Sequence, residues 1–295
     1  MAIIIDGKKV AEDIRGEVSE EVQTLKNKGG TPHLTVILVG EDPASQMYVK
    51  NKRKDCEKVG IASETLTYPS DLKQTELIQL IQDLNANPNV HGILVQLPLP
   101  GHIDENEIIQ TISPEKDVDG FHPINVGKLF SGATDGFVPC TPAGIVELLI
   151  RYHYPPEGKK IVIVGRSNIV GKPLGLLLLR KQDKKGNATV TFCHSRTPNL
   201  GEVTRTADIL VAAVGKPGLI RKDMVKKGAV VIDVGINRVE YVFCAKGYRF
   251  VGDVDCDEVS LVAEAISPVP GGVGPMTRAL LLKNTLQAYR QIKGI

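Results

Sequence analysis

Lys52 lies in the stretch MYVKNKRKDC (47–56), where four basic side chains occupy five consecutive positions. Upstream, Asp42-Pro43 supplies an N-cap followed by proline at the first helical position, and Gly60 closes the segment, so residues 43–59 are expected to be helical. With Tyr48 set at zero and about 100° per residue, Val59, Lys52, Cys56 and Val49 fall within one arc of about 100°. Lys50, Arg53, Lys54, Glu57 and Lys58 point away from it. Lys52 therefore sits alone on the apolar face, one turn from Tyr48. Two readings follow from the helix. The stem can cover apolar surface while the charge snorkels to water, or a desolvated amine can face a cleft and move protons.

Three other stretches carry chemistry. In GILVQLPLPGH, Gln96 falls at the C-terminal end of a strand, the edge at which open α/β sheets bind ligands. Its amide both donates and accepts, so it can orient a lysine or a substrate amide, or merely cap a turn. In PEKDVDGFHP, Asp117 and Asp119 precede Gly120; they can shape the turn or recognise a heterocycle rich in donors. KKIVIVGRSNIVGKPLG reads as strand, glycine turn and helix start, with Gly165 ending the strand, Gly171 opening the helix and Pro173 in its first turn. Such a turn suits phosphates held at a helix N-terminus, although its glycine spacing is longer than GxGxxG and a plain βα turn reads alike. The next strand ends in TFCHSRTPN, with Ser195 and Arg196 where NAD-selective folds place a carboxylate. With Arg166 in the first turn, this favours a 2′-phosphate, hence NADP over NAD. SPVPGGVGPMT (267–277) has no phosphate-loop lysine and reads equally as a rigid loop that brings backbone close to a ligand or as a mere linker. The six histidines are scattered, and none has triad or metal-ligand spacing.

The elements that must position these residues alternate. Apolar runs at 34–40, 64–69 and 90–100 are separated by amphipathic helices near 43–59 and 73–86, which implies a mostly parallel sheet. The pattern restarts at Thr141-Pro142, which opens a helix, and continues with strands at 159–165, 188–195, 208–215 and 229–235. The expected fold is therefore α/β with two domains. An N-terminal domain, 1–146, is followed by a Rossmann-like doubly wound domain, 147–274, with a cleft between them; a final helix, 275–295, returns to the first domain.

The chain has 295 residues, enough for two domains, with 42% hydrophobic and 24% charged residues and a net charge of only +2, which argues against nucleic acid or a membrane surface as partner. The five cysteines (Cys56, Cys140, Cys193, Cys244 and Cys256) form no CxxC pair and read as free thiols in a reducing compartment. MAIIIDGKKVAEDI lacks the features of a signal peptide, and no run reaches the ~18 apolar residues of a membrane helix. The expected location is cytoplasmic.

YVKNK, VQLPLP, KDVDGFHPINVG, PCTPAG, VGRSNIVGKP, DVGINR, GDVD and PVPGGVGPMT together closely resemble, in order and over essentially the whole chain, the bifunctional methylenetetrahydrofolate dehydrogenase/methenyltetrahydrofolate cyclohydrolase (FolD) family. The resemblance implies oxidation of 5,10-methylenetetrahydrofolate with NADP and hydrolysis of the product to 10-formyltetrahydrofolate, within one-carbon metabolism that feeds purine biosynthesis, by a homodimer without a metal. It matches Lys52 to the catalytic lysine with Tyr48 beside it, Gln96 to the residue that holds the lysine, and Asp119 to the carboxylate that binds the pterin. Val95, Leu97, Pro268 and Gly272 join Tyr48, Gln96 and Asp119 as substrate-binding positions. Gly165, Arg166, Ser167, Ser195 and Ile236 match the NADP positions. One departure is RVEYVFCAKGYRFVGDVD, longer than the short hairpin expected there. Alternatives are a dehydrogenase of amino or hydroxy acids, which needs a carboxylate-clamping arginine, and a folate-binding protein without catalysis, which intact Lys52, Gln96 and Asp119 disfavour.

Overall fold

The structure is a computed structural model that describes residues 1–241 and 247–295. In chain order its elements are β1 (Ile3–Ile4), α1 (Gly7–Lys26), β2 (His33–Val39), α2 (Pro43–Val59), β3 (Ala62–Tyr68), α3 (Gln74–Ala86), β4 (Gly92–Val95), α4 (Glu105–Thr111), α5 (Pro123–Ser131) and α6 (Cys140–Arg151). There follow β5 (Lys160–Val164), α7 (Gly171–Leu179), β6 (Thr189–Cys193), α8 (Leu200–Thr204), β7 (Ile209–Ala212), β8 (Val230–Asp233), β9 (Asn237–Glu240), β10 (Tyr248–Val251), α9 (Cys256–Val259), β11 (Ala265–Ile266) and α10 (Val273–Lys293). The chain divides into two compact units, Met1–Ala11 with Thr141–Thr277, and Glu12–Cys140 with Arg278–Ile295.

In the second of these units, β3-β2-β4 form a three-stranded parallel sheet. Ile37, Leu77, Ile81, Ile93 and Ile108 are fully buried at its core. The expected strand over 90–100 is corrected to Gly92–Val95. Gln96 still donates its N–H to the Ile37 carbonyl (2.9 Å), but Pro98 and Pro100 have no N–H to continue the ladder, and the chain turns through a cis Leu97–Pro98 bond.

In the other unit, six parallel strands run β1-β11-β8-β7-β5-β6. Ile163, Leu210, Val211 and Val231 are fully buried in its central strands. This unit takes in residues 1–11, where the sequence had suggested a domain running unbroken over 1–146; the reason is that Ile3 and Ile4 add as an edge strand beside Ala265 and Ile266. The segment 238–251 forms the antiparallel pair β9–β10; its residues 242–246, Cys244 among them, lie outside the described residues. Cys56, Cys140, Cys193 and Cys256 are free thiols. No helix among the described residues is long and apolar enough to cross a membrane.

A buried histidine just before β4 meets both β2 and α10. His91 accepts the His33 N–H at Nδ1 (3.2 Å), which leaves its ring proton on Nε2, and its edge meets the Tyr289 ring at 4.8 Å. Burial, followed by the positive fields of Lys293, His33 and Lys116, lowers its pKa from 6.5 to about 4. The unfolded chain binds this proton below pH 6.5 and the native chain only near 4, so stability is lost as pH falls through that window. The melting temperature should drop between pH 6.5 and 4. His91→Gln, which retains an acceptor for His33, should flatten that limb; an unchanged slope would place the loss elsewhere.

Candidate active site

Helix α2 is built as its sequence demands. The Asp42 carboxylate accepts the Ser45 N–H (2.7 Å), Pro43 occupies the first turn, and Gly60 ends the helix at φ 83°. Val49, Cys56 and Val59 are buried, while Lys50, Arg53, Lys54, Glu57 and Lys58 are exposed. Asp55, also buried, lies 3.0 Å from the Arg278 guanidinium, and this ion pair fixes the helix against α10. The Glu12 carboxylate pairs with Lys58 and with Arg15, and these two cations lower it to about 2.

Lys52 is half-buried between these faces. Its Nζ donates to Gln96 Oε1 at 3.0 Å. The other end of the Gln96 amide donates to the Leu97 carbonyl (2.6 Å), so the oxygen is fixed toward the lysine. Val95 is buried beneath and Leu97 half-buried beside it. Tyr48, four residues before Lys52 on the same helix, is 45% exposed and leaves its ring available.

The two aspartates that the sequence could not tell apart have different surroundings. Asp117 is buried, and its oxygens accept the N–H groups of Gly120, Phe121 and His122 and the Asn125 amide; it holds the turn. Asp119 is half-buried and makes no hydrogen bond through its carboxylate among the described residues. Burial raises its pKa from 3.8 to about 6; the Lys52 cation pulls against that rise, and Asp117 adds to it. A carboxylate near a lysine, with its oxygens free, is an acceptor awaiting donors.

The loop that presents Asp119 is splinted from α10. Asn284 Nδ2 donates to the carbonyls of Val118 (2.8 Å) and Val138 (3.1 Å). Gln287 and Gln291, further along the helix, donate to Gly136 (3.4 Å) and Asp135 (3.1 Å). Sequence reasoning missed this ladder, whose only trace is three amides at helical spacing. It also missed Cys140, packed against the Val118 carbonyl (3.5 Å). Burial, followed by the Asp119 field, pushes that thiol far above its ordinary range, which disqualifies it as a nucleophile.

The other candidates lie in the six-stranded unit. Strand β5 has β6 on one side and β7 on the other, so the order reverses there, and a cavity of about 520 Å³ opens at that switch point. It is lined after β5 by Gly165, Arg166 and Ser167, after β6 by His194, Ser195 and Thr197, and after β7 by Val214 and Lys216. Gly165 has φ 134°, and a Cβ there would collide with the Ala213 carbonyl. Ser167 Oγ accepts the Val170 and Gly171 N–H groups (3.1 and 3.4 Å) and shapes the entry to α7. Arg196 and Ile236 are not in the lining. Lys216 was missed, although its place just past a strand end was a usable signal. Pro268 and Gly272 join through the Gly272 N–H and the Pro268 carbonyl (2.8 Å) in a tight loop of this same unit, not in the unit that holds Lys52, Gln96 and Asp119. Among the described residues, no group of three His, Cys, Asp or Glu side chains is disposed to hold a metal.

A doubly wound sheet with a close-approach glycine turn and a cation-lined cavity at its switch point defines a dinucleotide-binding enzyme class, here joined to a unit carrying a lysine held by an amide. The chain belongs to the tetrahydrofolate dehydrogenase/cyclohydrolase family: residues 5–119 match its catalytic domain and residues 139–293 its NAD(P)-binding domain. It is 56% identical to the bifunctional protein FolD of Chlorobium chlorochromatii, over 99% of this chain and 100% of that one. It is 55% identical to that of Brevibacillus brevis, over 98% of each. Among solved structures, the FolD methylenetetrahydrofolate dehydrogenase/cyclohydrolase of Campylobacter jejuni superposes with a TM-score of 0.93 at 49% identity, covering 99% of both chains. The methylenetetrahydrofolate dehydrogenase-cyclohydrolase of Trypanosoma brucei, complexed with NADP and an inhibitor, gives 0.92 at 41% identity and covers 98% of both.

The residues present fit a nicotinamide dinucleotide. The cradle at Gly165 is one that a Cβ would fill, Arg166 and Lys216 supply cations, Ser167 and Ser195 supply hydroxyls, and among the described residues no carboxylate lines the cavity.

Proposed function

We propose that the protein oxidises 5,10-methylenetetrahydrofolate to the 5,10-methenyl cation with NADP and then hydrolyses that cation to 10-formyltetrahydrofolate. The observation that carries this reading is the Lys52–Gln96 hydrogen bond of 3.0 Å, with the free Asp119 carboxylate in its field. NADP, when bound, supplies the acceptor for the hydrogen and electron pair that leave the one-carbon bridge. Gly165, Arg166, Ser167 and Ser195 would hold its phosphates, and the backbone of Ile236, outside the cavity lining, would meet it beyond that cavity.

The protein's task in the oxidation is to fix the folate. Asp119 accepts from the pterin N–H groups, and Tyr48, Val95 and Leu97 of the same unit confine the rest. Hydrolysis asks more. Water adds to the carbon between N5 and N10 and must lose a proton as its oxygen bonds. The new hydroxyl loses a second proton as the C–N5 bond breaks, and N5 takes one, so one proton is released overall. Lys52 Nζ takes and relays these protons, and Gln96 Oε1 keeps it aimed. The homodimer of this reading has a plain check in the sedimentation of the purified protein.

The test is an assay of the purified protein with methylenetetrahydrofolate and either NADP or NAD, followed at the absorbance of the reduced nicotinamide. We expect a clear preference for NADP. Removing a charge-assisted phosphate contact costs about 1.5–3 kcal/mol, so Arg166→Ala should raise the NADP Michaelis constant more than about tenfold. Equal efficiency with NAD in the unaltered protein would refute the 2′-phosphate assignment.

A further inference from the structure

Two buried carboxylates interlock the DVG (233–235) and GDV (252–254) stretches. Asp233 is 3% exposed and Asp253 is wholly buried. Asp233 Oδ1 accepts the N–H groups of Gly235 (3.0 Å) and Asp253 (2.9 Å), and its Oδ2 that of Val254 (2.9 Å). Asp253 reaches the other way. Its Oδ2 accepts Val214 N–H (2.7 Å) and Gly215 N–H (3.0 Å), and its Oδ1 accepts Lys216 N–H and Asn237 Nδ2, both at 2.9 Å. Each aspartate packs onto a glycine of the opposite stretch, since a Cβ on Gly235 would collide with Asp253 and one on Gly252 with Asp233.

The three amides that Asp253 gathers belong to the loop after β7, and two of those residues, Val214 and Lys216, line the dinucleotide cavity. A carboxylate accepting three successive N–H groups fixes that loop at every residue, and its charge makes each bond stronger than a neutral one. The same oxygen that holds Lys216 holds Asn237, next to Ile236. Asp253 does not itself line the cavity.

We infer that Asp253 is a positioning residue for the cofactor: it holds the Val214–Lys216 loop in the conformation that accepts the dinucleotide. This rests on the reading of the cavity as an NADP site. Asp253→Asn preserves shape, but an amide NH₂ then faces one of the N–H donors and leaves it unpaired.

The experiment is calorimetric titration of NADP onto the wild-type protein and the variant, with amide hydrogen exchange and melting temperature measured on both. Expected are an NADP dissociation constant raised at least tenfold and faster exchange at residues 214–216 above any change elsewhere. Undiminished NADP binding by the folded variant overturns the inference, as does weakened binding with exchange raised uniformly, which is a merely structural role. If the wild-type protein itself fails to bind NADP, the cavity reading falls and the inference with it. Should Asp253→Asn not fold, Asn237→Ala removes one of the four donors and should weaken NADP about threefold; no change then overturns the inference.

Discussion

Lys52→Met is expected to lower hydrolysis of methenyltetrahydrofolate by at least about a hundredfold, the lower bound for loss of a positioned acid-base group, while oxidation of methylenetetrahydrofolate continues at a reduced rate. Methionine retains the length and apolar stem, so the half-buried face of α2 still packs. What is lost is the amine that Gln96 aims. Hydrolysis moves protons on and off oxygen and nitrogen, whereas the oxidation depends on placement alone, so the two activities should separate. Given methylenetetrahydrofolate and NADP, the variant should accumulate the methenyl compound, visible by its own absorbance. Both assays belong on one preparation whose melting temperature shows it to be folded. Undiminished hydrolysis would leave Lys52 as a snorkelling side chain. Equal loss of both activities would make it a residue that only positions the folate.

Asp119→Asn should lower kcat/KM for both activities, by about ten- to a hundredfold, since both use one bound folate and a charge-assisted hydrogen bond contributes about 1.5–3 kcal/mol. The pH profile sharpens the test. The carboxylate has to be ionised to accept from the pterin. Burial raises its pKa to about 6, so kcat/KM of the unaltered protein should fall as pH drops through 6, not through the usual carboxylate range. In the asparagine variant that acid limb should vanish along with most of the activity. If the limb persists near pH 6 in the variant, another group is titrating.

Local rules explain how much of this was legible. Asp42-Pro43 and Gly60 delimit α2 because capping and left-handed closure are decided by adjacent residues, and the wheel separates Lys52 from its exposed neighbours for the same reason. The Lys52–Gln96 contact joins residues 44 apart; periodicity has no access to it, and only the likeness of whole motifs pointed there. Asp117 and Asp119 look alike in sequence. What distinguishes them is which carboxylate the turn's N–H groups reach, a matter of folded geometry. Strands β1 and β11 have two residues each, too few for an alternation to register, so the joining of residues 1–11 to the nucleotide sheet could not be read. Lys216 stood at a strand end and was legible, but its stretch lacks the glycine spacing that drew attention to Gly165.

The amide ladder of α10 sets an order on synthesis. Residues 12–140 emerge from the ribosome early, yet the carbonyls of Val118, Asp135, Gly136 and Val138 receive their donors only once residues 284–291 have been made, after the whole of 141–277. Until then those carbonyls are left to water. The nascent chain has every strand of the sheet around the dinucleotide cavity before it holds the helix that steadies Asp119. The support of the Asp119 loop is thus the last part of its unit to be supplied, and a chain released before residue 284 lacks it.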